Sequence, residues 1–230
     1  MDVSDCREHL NAAMKGERAG LYVPAVRKFL ATEAASEAAA LHTAQQPAAD
    51  DGASSAGAGA AASRARGDIV VRALAACRFC PTSGVQGTAR AFLEAPPMSI
   101  VLCANRLHSA KEVEEALVHE LVHAYDMGPA RRDLTNVDAL AASEVRAARE
   151  AECARYVGGA AAATSVWPAA SEWLLKRCCR DTATTATRAM FPREGAASVE
   201  RVFERAFADL APRPNASAQA LSPASESSTA

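Results

Sequence analysis

The spacing of apolar and polar positions over residues 109–128 predicts the best-defined helix of the chain. Ser109, with Glu112 three residues later, forms a capping box at its start, and Gly128 followed by Pro129 predicts its end. Four large apolar side chains cover a broad arc of this helix, namely Val113, Leu117, Leu121 and Val122. Because histidines fall in the remaining sector, the pattern predicts a largely buried helix with one polar face.

Two weaker patterns precede this helix. Residues 5–30 have the apolar spacing of one or two short helices, broken near Gly20 and Pro24. The β-rich segments TARAFLE and MSIVLCAN are separated by Pro96-Pro97, which predicts a hairpin just before the central helix.

Three further helices are predicted after the central one. The first covers NVDALAASEVRAAREAECARYVGG and is expected to end at Gly158-Gly159; its alanines leave room for another helix to approach closely. The others lie around SEWLLKRCC and in GAASVERVFERAFADL, with a Thr-rich stretch between them. The sequence therefore predicts an α+β fold, mostly helical, with a small β-hairpin or sheet before the central helix.

Composition divides the chain into four segments. Residues 1–30 form an N-terminal helical segment, and the main domain is predicted over 68–210. Residues 31–67 are rich in Ala, Ser and Gly, so few large apolar groups offset the entropy of ordering them, and they are predicted to be a disordered insert. A polar tail, 211–230, is also predicted to be disordered.

The charge balance limits the classes of partner. The formal net charge is −2, which provides no polycation for nucleic acid and no electrostatic attraction to anionic membranes. No apolar run approaches the roughly 18 residues of a membrane span. The acidic start MDVSDCREHL resembles neither a secretory signal nor an Arg-rich transit peptide. We expect no nucleic acid partner.

The seven cysteines allow three interpretations. Their number is odd, so they cannot all pair within the chain. They are consistent with small buried thiols, with partial disulfide pairing in an oxidising compartment, or with a structural zinc site at the Cys-x-x-Cys pair. The residues are Cys6, Cys77, Cys80, Cys103, Cys153, Cys178 and Cys179.

The candidate chemistry lies on the central helix. His119 and His123 are four residues apart, so both side chains lie on one helical face and can reach one metal ion. Glu120 follows the first histidine directly, which completes the zinc motif H-E-x-x-H, in which the glutamate is the general base. The alternative is two unrelated histidines beside a solvated Glu120. The motif within a capped, apolar helix favours Zn²⁺ and a zincin-like metalloprotease domain.

A catalytic zinc ion needs a third protein ligand. Glu144, on the next predicted helix, is the first candidate, although it could instead be a solvated glutamate or pair with Arg146 or Arg149. Asp126 is the rival: it could bind the metal or orient a histidine. Cys103 is a weaker rival.

The site predicts peptide hydrolysis. Glu120 would take a proton from the attacking water and pass it to the leaving amine. The strand MSIVLCAN could pair with an extended peptide and hold it over the metal. A deformylase with a Cys ligand is a poorer interpretation, because the glycine-rich and Cys-bearing segments of that family are not evident.

A series of segments resembles the mitochondrial inner-membrane metalloprotease family that matures and assembles ATP synthase. They are IVLCANRL, VHELVHAYD, LAASEVRAA followed by EC, CCRDTATTATRAM and VERVFERAFADL. The resemblance covers residues 68–210 well and the N-terminal segment loosely. The Ala/Ser/Gly insert at 31–67 falls where relatives carry a more compact, cysteine-bearing segment.

The resemblance implies a zinc endopeptidase peripheral to the mitochondrial inner membrane, on its intermembrane-space side. Its expected substrate is the presequence of ATP synthase subunit a, and its expected partners are membrane-sector subunits of that enzyme. His119, Glu120 and His123 match the family's zinc and base positions, and Glu144 lies in its S-E-V-R-A segment. An alternative role is an assembly chaperone of ATP synthase that acts independently of proteolysis.

Overall fold

The computed structural model describes residues 1–44, 74–83, 87–96, 98–156 and 168–212. Within these ranges the fold is α+β and mostly helical, as predicted. In chain order the elements are α1 (Val3–Ala13), α2 (Glu17–Ala44), β1 (Ala75–Arg78), β2 (Ala91–Glu94), β3 (Ser99–Cys103), α3 (Ala110–Met127), α4 (Val137–Glu150), α5 (Pro168–Met190) and α6 (Gly195–Ala208). Short 3₁₀ turns follow β3 at Ala104–Arg106 and α4 at Ala154–Tyr156.

The three described strands form one sheet with β3 at its centre. β2 pairs with β3 in antiparallel register, which confirms the predicted hairpin, and β1 pairs with the other side of β3 in parallel register. The prediction that β3 itself receives a peptide is wrong, because both of its edges are already paired. The physical reason is burial: Ile100, Val101 and Leu102 are almost fully buried, and buried backbone groups need partners on both sides.

Helix α3 lies between the sheet and the first two helices. Its predicted bounds are confirmed: the Ser109 hydroxyl accepts a hydrogen bond from the Glu112 amide at 3.2 Å, and Gly128 ends the helix. A Cβ atom at Gly128 would lie 2.7 Å from the Phe29 ring, so glycine permits α2 to approach closely here. The apolar arc of α3, including Leu117 and Leu121, is fully buried in a core shared with α1, α2 and the sheet.

Helix α2 departs from the predicted boundaries. The break before it lies near Gly16, and the helix runs through Gly20 and Pro24. Both residues face solvent, where water can satisfy a carbonyl that Pro24 leaves without a donor, while Tyr22 and Val26 hold the opposite face in the core. Residues 31–44 of the predicted insert are helical as well.

Two physical effects explain the extra helical residues of α2. Alanine has the highest helix propensity, and extending an existing helix avoids the cost of nucleating a new one. Residues 45–67 of the predicted insert lie outside the described residues. In the predicted C-terminal tail, 211 and 212 are described and partly buried, whereas 213–230 are not described.

Helices α4, α5 and α6 pack into a second apolar cluster. Helix α4 ends at Glu150 rather than at the predicted Gly158-Gly159, because the chain turns at Ala151 and Cys153. The Thr-rich stretch is part of α5, which is one continuous helix. Different faces of α4 pack in different apolar clusters: Ala147 belongs to the first cluster, around α3, and Val145 to the second. Helix α4 therefore lies between the two apolar clusters and contributes residues to both.

Three disulfides join these elements. Cys6 pairs with Cys77, Cys80 with Cys103, and Cys153 with Cys178, while Cys179 is a free, buried thiol. Partial pairing is thus the interpretation that the structure supports. A zinc site at Cys77 and Cys80 and a ligand role for Cys103 are wrong, because these sulfur atoms are consumed in disulfides.

None of the helices in the described part of the chain is both long enough and apolar enough to cross a membrane.

Protein purified without reductant and then denatured is expected to react with a thiol reagent at one cysteine per chain, Cys179. The reason is that the other six sulfur atoms are released only by reduction. The Cys179→Ala variant is the control, and it should not react before reduction. Seven reactive thiols in the unreduced protein would contradict the disulfide set.

Candidate metal centre

The structure brings three of the predicted site residues together. His119 and His123 project from one face of α3, one helical turn apart, and Glu144 projects toward them from α4. The two Nε2 atoms lie 3.0 Å apart, and the Glu144 oxygens lie 3.5 Å from Nε2 of His119 and 3.6 Å from Nε2 of His123. Three donor atoms from two helices therefore converge on one point, all within 4.8 Å of one another.

The donor set fits a zinc ion. Two imidazole nitrogens and one carboxylate oxygen are the ligands of a common class of catalytic zinc site. Glu144 Oε2 is buried and accepts no well-formed hydrogen bond from the described residues. A buried carboxylate oxygen without a donor is costly, and a cation at this position would satisfy it.

The outer nitrogen of each histidine ring has its own partner. His119 Nδ1 lies 3.1 Å from Glu152 Oε1 and 3.3 Å from Glu152 Oε2. His123 Nδ1 lies 2.8 Å from Ser143 Oγ. Neither partner was predicted. Ser143 immediately precedes Glu144, and Glu152 belongs to the EC pair that follows the LAASEVRAA segment, but both positions become meaningful only when α4 is packed on α3.

The pKa of His119 is raised by two neighbouring carboxylates against the opposing effect of burial. Desolvation alone would lower the pKa of this ring, but the carboxylates of Glu144 and Glu152 outweigh that effect and raise it well above 6.5. The pKa values of Glu144 and Glu152 change in the opposite direction. Burial opposes ionisation of each carboxyl, yet His123 and His119 hold the pKa of Glu144 below the ordinary glutamate value, and His119 with Arg90 does the same for Glu152.

Glu120 sits beside this cluster in a buried position. Burial is the main cause that raises its pKa; the charges of His119 and His123 oppose the rise, and those of Glu144 and Glu152 add to it. A carboxylate with a raised pKa is a stronger base than an exposed glutamate. A general base is most effective when its pKa lies near the working pH, and burial shifts the pKa of Glu120 in that direction. This environment suits the predicted role of general base.

Asp126 is not part of the cluster, which corrects its prediction as a rival ligand or histidine partner. It is fully buried and is hydrogen-bonded to the equally buried Arg146, with Arg132 3.5 Å away. Its carboxylate faces Arg146 on α4 and does not belong to the group of donor atoms that converges at the histidines. Arg146 pairs with Asp126, and Arg149 pairs with Glu150. The alternative that Glu144 forms a salt bridge with one of these arginines is therefore not supported.

A groove of about 750 Å³ opens over His119 and Glu152. One wall is the segment that leads into β2, with Arg90; the other is a face of α5 that carries small side chains, including Thr185 and Ala189. The groove therefore connects the candidate metal centre with an edge strand of the sheet.

Zinc binding is expected to release protons and to strengthen as the pH rises. Metal-free His119 stays protonated above its ordinary pKa, and that proton must leave before the ring binds a metal. Affinity should rise with pH until the raised pKa is passed, and then level off. Calorimetry in buffers of different ionisation enthalpy measures the released protons. Binding without proton release between about pH 6 and pH 8 would contradict the arrangement.

Glu144→Ala is expected to lower zinc affinity by more than about 100-fold, which exceeds the usual effect of losing a group outside the ligand set. Asp126→Asn is the matched control: the asparagine amide oxygen can still accept from Arg146, so zinc affinity should be nearly unchanged. Loss of the charge alone should lower the free energy of unfolding by about 1–3 kcal/mol. Competition with a chelator gives the affinity, and urea unfolding gives the stability. The reverse pattern would make Asp126 the ligand.

Comparison with known proteins connects this site to a family. The model of the Peptidase M76 family matches residues 61–213. The mitochondrial inner membrane protease ATP23 of Meyerozyma guilliermondii is 46% identical over 59 residues, 25% of this chain and 24% of that protein. The human ATP23 homolog is 45% identical over 56 residues, 24% and 23% of the two chains.

A third relative, atp23 of Botryotinia fuckeliana, is 40% identical over 77 residues, or 31% of each chain. The chain thus spans less than a third of the length of these three relatives, and no solved structure matches it. The family model, in contrast, covers well over half of the chain and includes every residue of the candidate metal centre. The chain belongs to the Peptidase M76 family.

Proposed function

We propose that this chain is a zinc-dependent endopeptidase with a zincin-like site, acting at the mitochondrial inner membrane. The observation that carries the proposal is the convergence of His119, His123 and Glu144 beside the buried Glu120. Two helices supply three ligands from different directions, as a tetrahedral zinc site with one open position requires. The names of the relatives, mitochondrial inner membrane proteases, support both the activity and the location.

Zinc and Glu120 would have different roles in peptide hydrolysis. A bound zinc ion supplies a Lewis acid that polarises the scissile carbonyl and makes water more acidic. Glu120 accepts a proton from the attacking water, and burial raises its pKa so that it can hold that proton. The same carboxyl then donates the proton to the departing amine, which ends the reaction with Glu120 ionised again.

The groove suggests how a peptide is held. β2 is an edge of the described sheet, and Arg90 directly before it lines the groove over His119. An extended peptide that pairs with β2 would lie across the groove, with α5 as the opposite wall. This role replaces the one expected for β3, whose two edges are both occupied.

The substrate and compartment are further parts of the proposal. The sequence resemblance supports the presequence of ATP synthase subunit a as substrate and the intermembrane-space side of the inner membrane as location, with membrane-sector subunits as partners. Three disulfides in the described chain are consistent with an oxidising compartment. The complete set of His119, Glu120 and His123 favours cleavage over a chaperone role, which needs none of them.

Glu120→Gln is expected to lower the rate of peptide cleavage by about 10²–10⁴-fold and to leave zinc stoichiometry unchanged, because the amide cannot accept the proton of water. Glu115→Gln, on the same helix and beyond the cluster, is the control and should keep the wild-type rate. The assay uses the purified chain, zinc and a peptide that spans the subunit a cleavage region.

Two results separate the possible roles. Full cleavage by Glu120→Gln would contradict the assigned base. If Glu120→Gln cells assemble ATP synthase while subunit a retains its presequence, assembly does not depend on cleavage, and the chaperone role accounts for that part of the phenotype.

A further inference from the structure

We infer that Glu152 is a positioning residue that fixes the orientation of the His119 ring and places its N–H at Nδ1. This inference rests on the proposed zinc site and deepens it. Glu152 does not touch the reacting atoms; it acts through a metal ligand.

The two nitrogens of the His119 ring face different groups. Nε2 faces His123 and Glu144, where the candidate metal ligands converge, and Nδ1 faces the Glu152 carboxylate at 3.1 Å. These nitrogens lie on opposite sides of the ring, so Glu152 cannot reach the point that Glu144 reaches. A carboxylate at Nδ1 holds the proton on that nitrogen and leaves the Nε2 lone pair free to bind a metal.

The chain holds Glu152 firmly in this place. It follows the end of α4, and the next residue, Cys153, is buried and joined by a disulfide to Cys178 on α5. Arg90 lies 3.7 Å from the same carboxylate across the groove. A turn fixed covalently on one side and paired electrostatically on the other gives Glu152 little freedom to leave His119.

The second histidine provides an internal comparison. His123 Nδ1 is bonded to the neutral Ser143 hydroxyl, so of the two histidines only His119 has a charged partner at its Nδ1 atom. Hydrogen bonds to ionised acceptors are roughly twice as strong as neutral ones. Loss of the Glu152 charge should therefore affect the metal centre more than loss of the Ser143 hydroxyl.

The test compares wild type, Glu152→Gln, Ser143→Ala and Arg90→Ala, each as the full chain with its disulfides intact. Zinc affinity is measured by chelator competition, and the visible absorption of the cobalt-substituted protein reports on the ligand field. Glu152→Gln should bind one zinc ion about 10–100-fold more weakly and shift the cobalt spectrum. Ser143→Ala should have a smaller effect, and so should Arg90→Ala, which removes one restraint on Glu152 but leaves its bond to His119.

Several results would overturn the inference. Wild-type affinity and an unchanged cobalt spectrum in Glu152→Gln would show that the contact does not act on the metal centre. Failure of Glu152→Gln to bind zinc even at saturation would make Glu152 a ligand. Unfolding of metal-free Glu152→Gln at a much lower urea concentration than wild type would make the contact structural. Wild-type protein that binds no zinc would instead defeat the proposed function itself.

Discussion

The packing of α3 against α4 depends on the buried ion pair between Asp126 and Arg146. Asp126 lies three residues after His123 on α3, and Arg146 lies two residues after Glu144 on α4, so the pair joins the segments that carry the ligands. Arg146 also donates to the Ala211 carbonyl at 2.8 Å, so the segment after α6 packs against this ion pair. Removing one partner of such a pair typically costs about 3–5 kcal/mol, because the other charge stays buried.

This constraint explains why α4 is polar and yet buried. Ser143, Glu144, Arg146, Arg149 and Glu150 are all nearly inaccessible to solvent. Small residues on the same helix let α3 and α6 approach closely, and the polar side chains pair across those contacts. Arg149, for example, donates to the Asp209 carbonyl at 2.8 Å. Helix α4 thus carries a candidate metal ligand, which faces α3, and also packs in the second apolar cluster.

The sequence predicted the parts of the site that follow from local rules. The capped apolar helix and the spacing of His119 and His123 are local, and the small residues around Glu144 made its approach plausible. The role of Asp126 is not local: it depends on which arginine of α4 faces α3, and a helical pattern leaves several choices open. Glu152 escaped prediction for a related reason, since it follows the end of α4, where periodicity no longer says which way a side chain points.

The same distinction holds for the fold. The hairpin of β2 and β3 was predictable because its strands are neighbours in sequence and flank a proline pair. β1 has only four residues and no alternating pattern, and it becomes a strand because β3 offers it a free edge. The run of α2 through Pro24 likewise depends on which face the core covers, a property of the packed protein.

The unpaired Cys179 affects how readily a neighbouring disulfide can be exchanged. Cys179 adjoins Cys178, a partner in the disulfide beside Glu152, so an attack by its sulfur could exchange that bond. Such exchange requires the thiolate, and burial raises the pKa of Cys179 to about 12. At neutral pH only about one molecule in 10⁵ then carries the reactive form. Cys179 is therefore unreactive toward the neighbouring disulfide of Cys153 and Cys178, and the turn that carries Glu152 keeps its covalent link although one cysteine of the chain is unpaired.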